Sequence, residues 1–171
     1  MIISLIGFMG CGKSSVGREL SRLLCCPFMD LDDVIVQREG RTIPEIFSTD
    51  GEAAFRKMEL QNLQDIILSE AQDLAVLALG GGTVMTKECR EIVMEKTVCI
   101  YMKAEVETLM EHLEGQTEGR PMLSGTCLRQ RIEELMQRRA AVYEETAHHI
   151  IATDGMSVEQ VGMKIREILK F

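Results

Sequence analysis

The chain of 171 residues is short of positive charge: 19 lysines and arginines stand against 27 acids, a formal net charge of −8. That balance excludes a broad nucleic-acid footprint, which needs a basic face. It leaves room for small anions, because a few inward-pointing arginines can dominate a pocket locally. No segment approaches the ~20 apolar residues needed to cross a bilayer, so no membrane partner is expected. The N-terminal apolar run has no basic lead and passes directly into a glycine-rich loop, unlike a secretory leader; a cytoplasmic protein is expected. None of the cysteines Cys11, Cys25, Cys26, Cys89, Cys99 and Cys127 is spaced C-x-x-C, which points to buried or incidental thiols rather than metal ligands or disulfides. His112, His148 and His149 lack partners at metal spacing and read as structural or surface residues. Repeats, low-complexity tracts and interdomain linkers are missing. With 46% hydrophobic and 27% charged residues, residues 1–171 suit one domain with one substantial core.

What is present begins with Met1–Ser15. An apolar run from Ile2 to Ile6 stops at Gly7, and Gly7-Phe8-Met9-Gly10-Cys11-Gly12-Lys13-Ser14 fits G-x-x-x-x-G-K-[ST] at every fixed position. The pattern predicts a buried strand, a loop whose backbone N–H groups wrap a phosphate chain, and a helix beginning near Lys13. That helix N-terminus adds partial positive charge and unsatisfied donors. Lys13 would reach the β/γ-phosphates and the Ser14 hydroxyl would hold Mg²⁺, so a nucleoside triphosphate with magnesium is the expected ligand. Cys11, inside the loop, is placed to be chemically accessible and receives no catalytic role.

Downstream, Val16, Leu20, Leu23 and Leu24 recur at helical spacing, and Pro27 ends that helix. Residues 27–32 read as a short strand carrying Asp30 and Asp32 at its end. Helical pattern runs over 33–39, restarts near Pro44, and continues over 51–70. An apolar strand over 74–79 stops at Gly80-Gly81-Gly82. Helix 86–95, strand 97–102 and helix 105–113 follow. Residues 114–125, with three glycines and Pro121, read as a mobile loop. Helix 128–145, strand 148–152 and helix 157–169 complete the chain. Five apolar strands alternating with helices predict an α/β fold: a parallel sheet covered on both faces. Ligands of such sheets sit beyond the carboxyl ends of the strands. Gly7, Asp30 with Asp32, and Gly80–Gly82 all fall at such ends and should share one crevice.

Asp30 and Asp32, two apart on an extended segment, share a face. They suit metal support, hydrogen bonding to substrate hydroxyls, or acceptance of a hydroxyl proton. Alternatively Asp32 caps the next helix. In helix 128–145 the apolar stripe is Ile132, Leu135, Met136 and Tyr143, with Arg139 in its middle and Arg131 and Arg138 at its margin. A guanidinium on a core-facing stripe needs an anion, either an internal carboxylate or a bound carboxylate held bidentately. Arg56 sits in the apolar arc of Leu60, Leu63 and Ile67, with Glu59 three residues on to orient it. Gly80, Gly81 and Gly82 permit close approach of a ligand to the backbone, or form a tight turn. Arg120, before Pro121, is either a solvated side chain or an arginine that closes over the γ-phosphate.

Taken together, GFMGCGKSSVGREL, FMDLDDVI, IFSTDGEAAFRKME, LALGGGTV, GRPML and RRAAVYEE, in order across nearly the whole chain, resemble shikimate kinase, in the nucleoside-monophosphate-kinase branch of P-loop proteins. The resemblance implies a three-layer α/β/α kinase domain with a five-stranded parallel sheet, a substrate-binding segment at about 32–60 and a lid at about 114–125. It implies ATP- and Mg²⁺-dependent phosphorylation of the shikimate 3-hydroxyl, giving shikimate 3-phosphate and ADP. Gly10, Cys11, Gly12, Lys13, Ser14 and Ser15 would hold ATP, and Ser14 with Asp30 or Asp32 would hold one Mg²⁺ per subunit. Arg56 and Arg139 would take the shikimate carboxylate, Asp32 its ring hydroxyls as base or positioning group, and Gly80–Gly82 would complete that site. Arg120 would be the lid arginine, and Phe47 and Phe55 would line the pocket. Departures are modest: Arg-Pro-Met-Leu in the lid, Ala141 where a proline commonly follows the substrate arginine, and Ala78 in place of a serine near the metal. A kinase for gluconate or a nucleoside monophosphate is the rival among enzymes. A regulatory nucleotide switch would carry a guanine-reading [NT]-K-x-D tetrapeptide, which is absent. With no apolar helix face demanding a partner, a monomer is expected. Lys13→Met should abolish turnover in a coupled ADP-release assay; near-normal rates would refute the phosphate-loop reading.

Overall fold

The computed structural model describes residues 1–69, 73–114 and 127–171. Its core is a five-stranded, wholly parallel sheet in the order β2-β3-β1-β4-β5, formed by β1 (Ile2–Ile6), β2 (Phe28–Asp30), β3 (Ala75–Ala78), β4 (Thr97–Lys103) and β5 (His149–Ala152). Every residue of β1 and β3 is buried. Successive side chains point to opposite faces, so both faces of the sheet centre are covered, which is why these strands are unbroken apolar runs. Ser4 is the polar exception inside β1, and it shares a hydrogen bond of 2.7 Å with Thr97 of β4.

Among the described residues the helices are α1 (Lys13–Leu24), α2 (Leu31–Glu39), α3 (Ile43–Thr49), α4 (Glu52–Ser69), α5 (Lys87–Lys96), α6 (Val106–Leu113), α7 (Leu128–Thr146) and α8 (Val158–Ile168), with a 3₁₀ turn at Thr83–Met85. α1 packs against α8 and against β1, β2 and β3, while α5 and α7 pack on β4 and on each other. These two groups form the outer layers. Thr42 opens α3 with a reciprocal capping box to Glu45, and Ser157 does the same for α8 with Gln160. Both starts are the ones the sequence pattern predicts.

Several element ends fall one residue from expectation, and the start of α2 departs by two. The extended segment ends at Asp30, not Asp32, and α2 begins at Leu31. The cause is local. The Asp30 Oδ1 accepts the Asp32 backbone N–H at 3.1 Å, so Asp30 is the helix cap and Asp32 sits in the first helical turn.

Register then assembles the site. Asp30 lies beside Ala78, and Ala78 beside Leu5. The chain leaves β1 towards Gly7 and leaves β3 towards Gly80 from adjacent positions on the same edge.

α1 meets β2 with no room to spare. A Cβ on Gly17 would overlap the Phe28 ring, so this glycine is there for helix–strand packing. Alanine is the better helix former by about 1 kcal/mol, yet Gly17→Ala should destabilise the fold by about 1–3 kcal/mol through overpacking. Urea unfolding reads this directly; a gain in stability would contradict the packing.

Candidate active site

The phosphate loop, Gly7–Gly12, turns back on itself with positive φ at Gly10 (82°) and Gly12 (90°), conformations that cost any other residue strain. Gly10 is also tight, since a Cβ would meet the Leu113 side chain at the end of α6. His112, next to Leu113, places Nδ1 2.7 Å from the Gly10 carbonyl oxygen. Only a protonated nitrogen can donate there, so the geometry selects the Nδ1–H tautomer or the imidazolium. α1 starts at Lys13 with Gly12 as its cap, no side-chain cap hydrogen bond and no acid in its first turn. Its N-terminal donors are therefore open to an anion. The Lys13 ammonium donates to the carbonyls of Gly7 (2.9 Å) and Phe8 (3.0 Å), folded against the loop and only 9% exposed. Cys11 corrects an expectation. Its thiol is buried beneath the loop against Gly7, out of reach of solvent, while its N–H donates to the Phe8 carbonyl.

A cleft of about 360 Å³ opens above these strand ends. It is lined by Gly10, Gly12, Lys13, Ser14 and Ser15 on the loop side, by Asp30 and Asp32, and by Arg56, Gly80, Gly81, Gly82 and Arg139 on the far side. Phe47 and Phe55 close its apolar wall, with ring centroids 5.0 Å apart. Apart from Gly7 and Cys11, every described residue singled out as a candidate from the sequence lines this one space. Arg120, and the predicted lid beyond Glu114, lie outside the described residues.

The two inward arginines differ in a way the sequence left open. Arg56 has internal partners: Nη1 donates to Glu59 at 2.5 Å and Nη2 to Glu52 at 3.1 Å. Glu59 is fully buried and takes a further hydrogen bond of 2.6 Å from Thr83, which ties α4 to the turn after the glycine run. Arg139 is 5% exposed, and among the described residues no carboxylate pairs with it. Its Nη1 donates to the Gly81 carbonyl at 3.2 Å, and its guanidinium lies 6.0 Å from the Phe8 ring centre. A buried guanidinium with a carbonyl, the Tyr143 hydroxyl and an aromatic face beside it, and no carboxylate among the described residues, suits an incoming anion.

The glycines at 80–82 are required for space rather than for unusual backbone angles, since none has positive φ. A Cβ on Gly80 would press on Asp32, Glu59 and Thr83, one on Gly81 on Met9, and one on Gly82 on the Arg56 guanidinium. One side of the cleft is thus bare backbone hemmed in by charged groups. The close approach seen here is that of the protein's own groups, Asp32, Met9 and the Arg56 guanidinium.

Acidic residues crowd the cleft beside Gly80. The Ser14 hydroxyl donates to Asp30 Oδ2 at 2.5 Å. The Asp32 carboxyl is pushed up to about 7, first by burial and then by the neighbouring Asp30 and Glu59 carboxylates, with Lys13 and Arg56 pulling the other way. Among the described residues no cluster of three histidine, cysteine or acidic side chains forms a cage for a metal. A hydroxyl beside two crowded carboxylates does fit a hard cation that keeps its waters and arrives on a nucleotide's phosphates. Such a cation would also relieve the repulsion that raises Asp32. Without metal, Asp32 has a stability consequence. Its native pKa lies above the unfolded value of about 3.9, so the native state binds the extra proton between about pH 4 and 7. Stability therefore falls over that window as pH rises, and the deficit is complete above it. In the metal-free protein Asp32→Asn should raise the Tm at pH 8 and change it little near pH 4. An equal or lower Tm at pH 8 would contradict the crowding.

With this geometry in place, similarity to known proteins is informative. The family model described as shikimate kinase matches residues 9–170. The shikimate kinase of Thermus thermophilus is 40% identical over 167 residues, covering 98% of this chain and 89% of that protein. That of Dictyoglomus turgidum is 36% identical over 170 residues, 98% and 96% of the two chains. Among solved structures, shikimate kinase from Acinetobacter baumannii in complex with shikimate superimposes with a TM-score of 0.93 at 33% identity, over 99% of this chain and 93% of that one. By sequence along its whole length and by fold, this chain belongs to the shikimate kinase family.

Proposed function

We propose that the protein transfers the γ-phosphoryl group of ATP to the 3-hydroxyl of shikimate, giving shikimate 3-phosphate and ADP in the route to chorismate and the aromatic amino acids. The observation that carries the choice of acceptor is Arg139, a guanidinium 5% exposed at the wall of the cleft with no carboxylate partner among the described residues. A small carboxylate supplies what it lacks. Arg56, already neutralised by Glu59 and Glu52, supports the same carboxylate from the other side as a weaker arm. Glu59 and Thr83 keep Arg56 aimed at the glycine run.

Gly10, Gly12, Lys13, Ser14 and Ser15 take the phosphates of ATP, mostly through backbone N–H groups at the start of α1, while Cys11, its N–H held by Phe8, shapes the loop from beneath. In this reading Lys13 exchanges its loop carbonyls for phosphate oxygens. Ser14 and Asp30, with Asp32 beside them, would hold one Mg²⁺, which supplies charge neutralisation on the transferring group. Asp32 orients the acceptor hydroxyl. A loose transition state asks little of a base, so placing that oxygen in line is its larger contribution. Arg120 is assigned to the lid on the family resemblance alone. Residues 1–171 then form one kinase domain, with residues 32–60 as the acceptor side and residues 114–125 as the lid.

The same reading makes the protein a monomer of the cytoplasm. Exposed large apolar side chains are scattered over α4, α5, β5, α8 and the two chain ends. None of the six cysteines is in a disulfide, which suits a reducing compartment. Among the described residues no helix is long and apolar enough to cross a membrane.

A coupled ADP-release assay comparing shikimate, gluconate and a nucleoside monophosphate tests the reaction. Acceptor-stimulated turnover with shikimate alone supports it, and stimulation by another acceptor or by none overturns it. Arg139→Ala should raise the shikimate KM by about 100-fold, from the loss of charged hydrogen bonds of about 1.5–3 kcal/mol, with much less effect on the ATP KM. Unchanged constants would remove Arg139 from the acceptor site.

A further inference from the structure

Tyr143 lies one helical turn beyond Arg139 on the same buried face of α7. Both side chains donate to one acceptor, the Gly81 carbonyl oxygen, Arg139 from Nη1 and Tyr143 from its hydroxyl. The neighbouring carbonyls face elsewhere: Gly80 accepts from the Thr83 N–H and Gly82 from the Met85 N–H. Only the middle carbonyl of the run is turned towards α7. Tyr143 is fully buried and its ring packs on Tyr101 of β4 with centroids 5.1 Å apart. Burial raises the phenol well above its ordinary range, so it remains a hydrogen-bond donor throughout the working pH range.

Two donors on one carbonyl matter because one of them has another task. A bound carboxylate engages a guanidinium best through two parallel N–H···O bonds. The Gly81 carbonyl now holds one of the two Nη1 N–H groups, and turning the Nη1 edge squarely onto a carboxylate would release it. Releasing it would strand a buried carbonyl oxygen, a costly outcome, unless a second donor stays in place.

We propose that Tyr143 is a positioning residue for the acceptor. Its hydroxyl keeps the Gly81 carbonyl satisfied and the Gly81–Gly82 peptide fixed, which frees Arg139 to turn onto the acceptor carboxylate. The inference rests on Arg139 being the carboxylate clamp. It assigns a function to a hydroxyl that the sequence pattern counts only as part of an apolar stripe.

Tyr143→Phe removes the hydroxyl and keeps the ring contact with Tyr101. Steady-state kinetics with shikimate and ATP varied separately should show the shikimate KM raised about five- to tenfold, the scale of one lost hydrogen bond. The ATP KM and kcat should stay within about twofold, whereas a general loosening of the fold would move both KM values together. In an Arg139→Ala background the same substitution should change the shikimate KM by less than about twofold, since the clamp it serves is gone. An unchanged shikimate KM in the single variant, a parallel rise in both KM values, or full multiplicative effects in the double variant would each overturn the proposal. Absence of shikimate turnover in the unsubstituted protein would instead strike the reaction assigned above, and this inference with it.

Discussion

The cleft depends on one electrostatic constraint: a guanidinium carried into an apolar interior must meet an anion or remain uncompensated. The fold applies it twice, with different outcomes. Arg56 is met by Glu59, a carboxylate with no exposed surface that is itself braced by Thr83. That closed network fixes the wall of the cleft before any ligand arrives. Arg139 meets a backbone carbonyl, the Tyr143 hydroxyl and the face of Phe8. The first arginine is part of the closed architecture, and the second is the one the proposed function assigns to the acceptor carboxylate.

Around that contrast the parallel sheet supplies position. β2, β3 and β1 are neighbours in the sheet although they are first, second and third in the chain only as β1, β2 and β3. Their shared edge therefore presents Gly7, Asp30 and Gly80 side by side. The proposed function divides donor and acceptor chemistry along this edge. The uncapped start of α1 faces where phosphates would lie, and bare glycine backbone faces the acceptor side between Arg56 and Arg139. The Asp30 and Asp32 carboxylates sit between the two, with Asp32 driven upward by its acidic neighbours.

Much of this was legible in the sequence, for identifiable reasons. Strands buried on both faces read as continuous apolar runs, and helices such as α1 and α8 carry an amphipathic stripe or a cap. The phosphate loop is specified by fixed residue types whose roles are backbone roles. Strand order was not legible, since the apolar runs that pair β3 between β1 and β2 differ little from one another. The Asp30 and Asp32 assignment turned on one side-chain hydrogen bond, which moved the start of α2 by two residues and put Asp32 in a helical turn. The fates of the two arginines were also hidden. Glu59 at i+3 signalled a partner for Arg56, but no pattern can show that Arg139 has none among the described residues. Tyr143 at i+4 from Arg139 was visible only as an apolar position, because its hydroxyl acts on a carbonyl 62 residues away in the chain.

The central claim is that Arg139 lies uncompensated until an acceptor carboxylate fills its place. Isothermal titration of the protein with shikimate and with its uncharged carboxamide, under identical conditions without nucleotide, tests this most directly. The account predicts that the carboxamide binds at least about 100-fold more weakly, the scale of charged hydrogen bonds lost from a buried cation. Equal affinity for the two compounds would contradict it.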